Sequence, residues 1–169
     1  MRYSPAALAV CLAVAVSSSM LHSQVSTPLD PRAVTLLGEG KASLAAGRPS
    51  EALDAFEAAL AVAPGSTEVL VALADAERDK GLQGKAIHYY RVALKDDPRN
   101  LSALAGEGVA LAQKGATEKA GLNLSRLKTL CGADCAQARQ VAAAIAKGPE
   151  MPQMVAADTV KTKPAVSEN

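Results

Sequence analysis

The 169-residue sequence has no tryptophan, one phenylalanine and three tyrosines. Those four aromatics, Tyr3, Phe56, Tyr89 and Tyr90, are too few to build stacking platforms for single-stranded nucleic acid. Histidine is as scarce, with two in the chain. His-based metal clusters and His-relayed catalysis therefore have almost no material. An excess of one charge is missing too. Lys and Arg total 18 against 17 Asp and Glu, so no basic field exists to hold nucleic-acid phosphates. No Gly-rich phosphate loop, G-x-S-x-G elbow or H-E-x-x-H is found. The sequence implies no cofactor, no metal and no enzymatic activity.

Alanine is abundant instead. It fills roughly a fifth of the chain, and as the best helix former it points to an all-α protein with closely approaching helices. Residues 1–23 stand apart from the rest. Arg2 gives a positive start, an apolar run extends from Ala6 to Val16, and Ser17, Ser18 and Ser19 supply small residues. This is the three-part pattern of a secretory signal, with cleavage expected between Ser17 and Ser23. Two alternatives are an uncleaved anchor and lipidation at Cys11. The run falls short of the roughly 20 residues a span needs, and Val10 fits poorly before a lipidated Cys11. Without Arg2 the acidic and basic residues balance, which weakens an anionic-membrane reading, and no further run is long and apolar enough to cross a membrane. The expected location is the bacterial periplasm or the exterior.

Beyond a linker at 24–32 the chain repeats itself. Gly47, Gly81 and Gly115 lie 34 residues apart. Leu36, Leu70 and Leu104 keep the interval, as do Gly40, Ala74 and Gly108, and Ala52, Ala86 and Ala120. The same holds for Phe56, Tyr90 and Leu124, for Ala59, Ala93 and Leu127, and for Pro64, Pro98 and Gly132. Each unit reads as two helices. A Gly that accepts the left-handed C-cap ends the first, and an apolar stripe marks the second. Small residues let helices approach, and the large Phe56–Tyr90–Leu124 column fills the space between units. No unit buries its stripe alone, so the units must stack.

This pattern resembles the tetratricopeptide repeat family. Units one and two carry its signature as Gly47, Ala52, Phe56, Ala59, Pro64 and Gly81, Ala86, Tyr90, Ala93, Pro98. The third unit departs from it at Leu124, Leu127 and Gly132. The resemblance covers 33–132 as units 33–66, 67–100 and 101–132. It implies an α-solenoid of three helix-turn-helix repeats. A further helix over 133–148, with Asp134 as N-cap, would cap the last unit. The stretch 149–169, with three prolines and no periodicity, reads as a disordered tail.

Cys131 and Cys135 are expected to form a disulfide in an oxidising compartment, because Gly132 and Asp134 permit a turn between them. A thiol-redox or cytochrome-maturation role is the alternative. The spacing of three residues and the neighbouring Asp134 disfavour a reactive thiolate. His88 reads as a surface residue. Glu51, Asp54 and Glu57, and the run Glu77, Arg78, Asp79 and Lys80, read as solvated charge.

The family resemblance implies protein–protein interaction, with a peptide or partner protein along the concave face. The inward columns fall on Val34, Leu37, Lys41 and Leu44; Glu68, Val71, Asp75 and Arg78; and Ser102, Ala105, Val109 and Ala112. Chaperone-binding members clamp a terminal carboxylate with Lys, Asn and Arg on such columns. Here Leu37, Lys41, Asp75, Ser102 and Gly106 occupy them, and Lys41 alone is basic, which argues against that binding mode. An adaptor in assembly of an envelope complex is the leading expectation, and self-association through the repeat ends is another.

Overall fold

The computed structural model describes residues 28–149. The proposed signal segment and nearly all of the tail lie outside the described residues. Seven α-helices make up the described chain: α1 Pro31–Ala45, α2 Pro49–Val62, α3 Thr67–Asp79, α4 Gln83–Asp96, α5 Leu101–Gln113, α6 Thr117–Cys131 and α7 Ala136–Lys147. The first six pair as hairpins, each hairpin packs on the next, and α7 packs on α5 and α6. The architecture is an all-α solenoid of three repeats closed by one helix.

The 34-residue period has a backbone cause at the hairpin turns. Gly47, Gly81 and Gly115 hold φ of 70°, 77° and 85°, a conformation that costs other L-residues about 1–2 kcal/mol. Each closes a Schellman motif. The N–H groups of Gly47 and Arg48 donate to the carbonyls of Leu44 and Ser43, and the same pair of bonds recurs around Gly81 and Gly115. These bonds satisfy the orphan carbonyls at the end of each first helix. The first helices also have side-chain caps. Asp30 accepts from the Arg32 N–H at 2.8 Å, Ser66 from Val69 at 3.4 Å and Asn100 from Ala103 at 2.9 Å. The second helices α2, α4 and α6 have none and begin straight out of the glycine turn.

Packing follows the columns with one shift. Phe56 and Tyr90 are both fully buried, which contributes about 2–3 kcal/mol each by removing apolar surface from water. Phe56 lies against Gly40 of its own hairpin, where an added Cβ would meet the ring at 2.3 Å. Tyr90 reaches into the next hairpin and lies on Gly106. In the third unit Leu124 stays half-buried. Val141 of α7 seats on Gly108 instead, with both its methyls 2.9 Å from where a Cβ would stand. The capping helix thus supplies the apolar group that its own unit lacks.

Two local expectations are corrected. The cap of α7 is Cys135, whose Sγ lies 3.4 Å from the Ala138 N–H, rather than Asp134. Glu77 is buried beside Lys85 at 3.4 Å, because it lies on the packed side of α3 and not on the solvated one. His88 is exposed. Cys131 and Cys135 have their sulfurs 2.09 Å apart, a bond that links the last residue of α6 to the cap of α7.

Candidate functional site

The first helices α1, α3 and α5 line a concave groove. Its larger part encloses about 1010 Å³ between the faces of α1 and α3, the start of α5 and the two turns joining the hairpins. A smaller part of about 370 Å³ continues towards α7. Asp75 and Ser102 border both, so the two form one continuous channel.

The helical period puts Lys41 of α1 opposite Glu68 of α3, with 2.8 Å between Nζ and Oε1. Both are more than half exposed, so the pair sets side-chain direction more than it adds stability. Farther along the floor, the Tyr90 hydroxyl donates to Asp75 Oδ1 at 2.5 Å and accepts from Arg78 at 3.3 Å. Arg78 also pairs with Asp75 at 3.3 Å and Asp79 at 3.7 Å. The large packing residue of unit two therefore also organises the polar floor of the groove. Beyond it, Glu107 is buried between helices, accepting from Arg91 of α4 at 2.7 Å and Asn123 of α6 at 2.8 Å. This ties α4, α5 and α6 together behind the groove.

Burial raises the Asp75 carboxyl above the ordinary carboxylate range, against the lowering effects of the Tyr90 hydrogen bond and Arg78. Burial, and then the charge of Asp75, push the Tyr90 hydroxyl upward, so it remains a donor. A carboxyl whose folded value is raised contributes stability that is fully present below the unfolded value. That contribution is lost as pH rises through the folded value. Asp75→Asn keeps an acceptor for Tyr90 and removes the desolvated charge. Relative to the parent it is expected to be most stable at neutral pH, with the difference falling away as pH drops through the carboxylate range. Urea midpoints for both proteins across that range check this, and a difference independent of pH overturns it.

Of the residues anticipated for the concave face, Lys41, Leu44, Glu68, Val71, Asp75, Arg78 and Ser102 line the groove. Val34 is exposed on α1 but borders neither part of the channel. Leu37, Val109 and Ala112 are core residues that border neither part, and Ala105 is almost fully buried at the edge of the smaller one. Leu37 packs with Phe56 and Leu73, and Ala112 with Tyr90 and Ala86. Ala105, which does border the smaller part, and Val109 are covered by Ala138 and Val141 of α7. The capping helix takes over the inward face of the third unit.

Several groove residues escaped the column argument. Asp96 ends α4, Asp97 and Asn100 come from the α4–α5 turn, and at the α2–α3 turn Ser66 caps α3 and Thr67 begins it. The 34-residue interval between the caps Ser66 and Asn100 could have flagged both turns. Gln137 and Gln140 come from α7. Continuing the period from Ala105 and Val109 leads to Arg139 and Ala143, and neither borders the channel. The buried residues of α7, Ala138 and Val141, keep the 34-residue interval from the buried Leu104 and Glu107, so the capping helix continues the packed face of the repeat while meeting the channel through Gln137 and Gln140. Among the described residues no group of three or more His, Cys, Asp or Glu is placed to hold a metal. No described helix is long and apolar enough to cross a membrane.

Equal helical hairpins stacked around a shared concave channel define an α-solenoid of the repeat-scaffold class. The tetratricopeptide repeat profile matches over 37–100 and 71–130, more than half of the chain, and the chain belongs to that family. Among solved structures it is similar to the Sgt2 TPR domain from Aspergillus fumigatus, with a TM-score of 0.66 and 24% identity over 81% of this chain and 96% of that one. It is also similar to the first TPR domain of human RPAP3, with a TM-score of 0.62 and 19% identity over 69% and 94% of the two chains. The first TPR of Spaghetti (RPAP3) bound to the HSP90 peptide SRMEEVD gives a TM-score of 0.61 and 19% identity over 68% and 94%. No curated protein matches the sequence significantly.

Proposed function

We propose that this protein is an exported, non-enzymatic adaptor that binds a partner protein or peptide in its concave groove and assists assembly of a bacterial envelope complex. The open channel of about 1010 Å³ across α1, α3 and α5 is the observation that carries the binding role. A structural relative in complex with an HSP90 peptide lends it support. Export is supported by the signal-like pattern of residues 1–23 and by the Cys131–Cys135 pairing, since disulfides persist in oxidising compartments.

A photo-crosslinking amino acid at Ser102, exposed in the groove, tests the reading in cells expressing the full chain. Glu57, exposed on α2, is the control position. Discrete adducts are expected from Ser102 alone and in the periplasmic fraction. Equal adducts from both positions, or none from Ser102, overturn the groove assignment. Retention of the protein in the cytoplasm overturns export.

A further inference from the structure

We infer that the groove's occupant is an extended polypeptide segment carrying lysine or arginine, its cations directed to the lip formed by the hairpin turns. This rests on the groove reading above and names the chemistry of the partner. Six carboxylates border the channel, Asp30, Glu68, Asp75, Asp79, Asp96 and Asp97, against two cations, Lys41 and Arg78. The whole sequence carries 18 basic and 17 acidic residues, so the acidic lining is a segregation of charge into the cleft and not a property of the chain. Both cations are engaged within the groove, Lys41 by Glu68 and Arg78 by Asp75 and Asp79. Asp30 is paired outside it with Arg32.

Asp96 and Asp97 make no ion pair with any described residue. Asp97 accepts from the Arg99 backbone N–H and from Asn100 Nδ2, each at 3.2 Å, and both donors are neutral, so its charge is hydrogen-bonded but not neutralised. Ser66 and Asn100 on the same lining are already engaged as helix caps, and exposed Ser102 borders both parts of the channel, where it can meet the backbone of an extended chain. Low-dielectric walls concentrate the field of such a lip inside the channel. A cationic segment therefore gains there, and an anionic one meets like charge.

Fluorescence anisotropy with three labelled peptides of equal length tests this. One alternates Lys with Ala, one Glu with Ala and one Gln with Ala. A fourth probe is the synthetic peptide of residues 150–169. The Lys probe is expected to bind about 10-fold tighter than the Glu probe, the sum of a few exposed pairs of modest strength, with the gap narrowing as salt rises. Glu68→Gln with Asp96→Asn changes two exposed side chains and is expected to weaken the Lys probe about 3–10-fold. The Gln probe should be unaffected and the helical circular dichroism unchanged.

Equal or tighter binding of the Glu probe overturns the charge assignment and leaves the groove reading standing. Preference for the 150–169 peptide over the Lys probe replaces the external partner with the chain itself. Failure of all four probes, with Ser102 crosslinks still formed, overturns the inference alone. Failure of both probes and crosslinks removes the groove reading with it.

Discussion

Replacing Tyr90 by alanine is expected to cost about 3–5 kcal/mol of folding stability, the range for truncating a fully buried aromatic. That is a large share of the roughly 5–15 kcal/mol that holds an ordinary domain together. Tyr90 is 0% exposed, and its ring lies on Gly106 of the following hairpin. Its loss opens a cavity between the second and third units, where stacking supplies the stability that neither hairpin has alone. It also leaves Asp75 and Arg78 without their shared hydroxyl. Tyr90→Phe separates the two effects. It keeps the ring and removes the hydroxyl, for an expected cost of about 1–2 kcal/mol. Urea unfolding of both variants gives the comparison. An alanine variant within about 1 kcal/mol of the parent would contradict the packing assignment by the same cavity argument. A phenylalanine variant as damaged as the alanine one would move the energy from the ring to the polar floor.

The second large effect is expected at Gly108. A valine there places its Cβ 2.9 Å from both Val141 methyls, closer than carbon atoms approach without displacement. Two outcomes are expected together: a loss of about 2–3 kcal/mol from overpacking, and release of α7 from α5. Release would uncover Ala105, Val109 and Leu104, now buried with Val141. Hydrogen exchange should then report α7 opening while α1 to α4 stay protected, since solenoid units depend mainly on their neighbours. Gly38→Ala is the matched control. Gly38 is exposed inside α1 with nothing within 4 Å of an added Cβ, so alanine there is expected to stabilise by about 0.5–1 kcal/mol through helix propensity. Unchanged α7 exchange in Gly108→Val would mean that the Val141 contact is not what seats the capping helix.

The concave face shows how far a column argument reaches. Lys41, Glu68, Asp75 and Ser102 were placed in the groove by carrying the inward columns of the resembled family along the 34-residue interval, because a helix of constant length presents the same positions at every repeat. The columns part from the surface where a neighbour interrupts that regularity. Leu37 turns out to be core because it packs with Phe56 and Leu73. Ala105 and Val109 are core because α7 lies over them. Glu77 looked solvated within a run of charges, yet its side of α3 is packed and it is buried. For Leu37, Ala105 and Val109 a tertiary contact outweighed the column, whereas Glu77 continues the buried stripe of Leu70, Leu73 and Ala74 on its own helix.

Local chemistry settled the period, the turns and the hairpins. Glycine at positive φ and capping side chains act over a few residues, and their energies do not depend on what lies elsewhere in the chain, while an apolar stripe is legible locally but gains its energy from the unit it packs on. The family and the solenoid architecture follow from those features repeated at a constant interval. The seating of the capping helix on α5 and α6, the shift of the large packing group from Leu124 to Val141, and the gathering of Glu68, Asp75, Asp96 and Asp97 around one channel were decided only by tertiary structure. They depend on how surfaces distant in sequence fill one another's gaps, and on electrostatic fields that add through space.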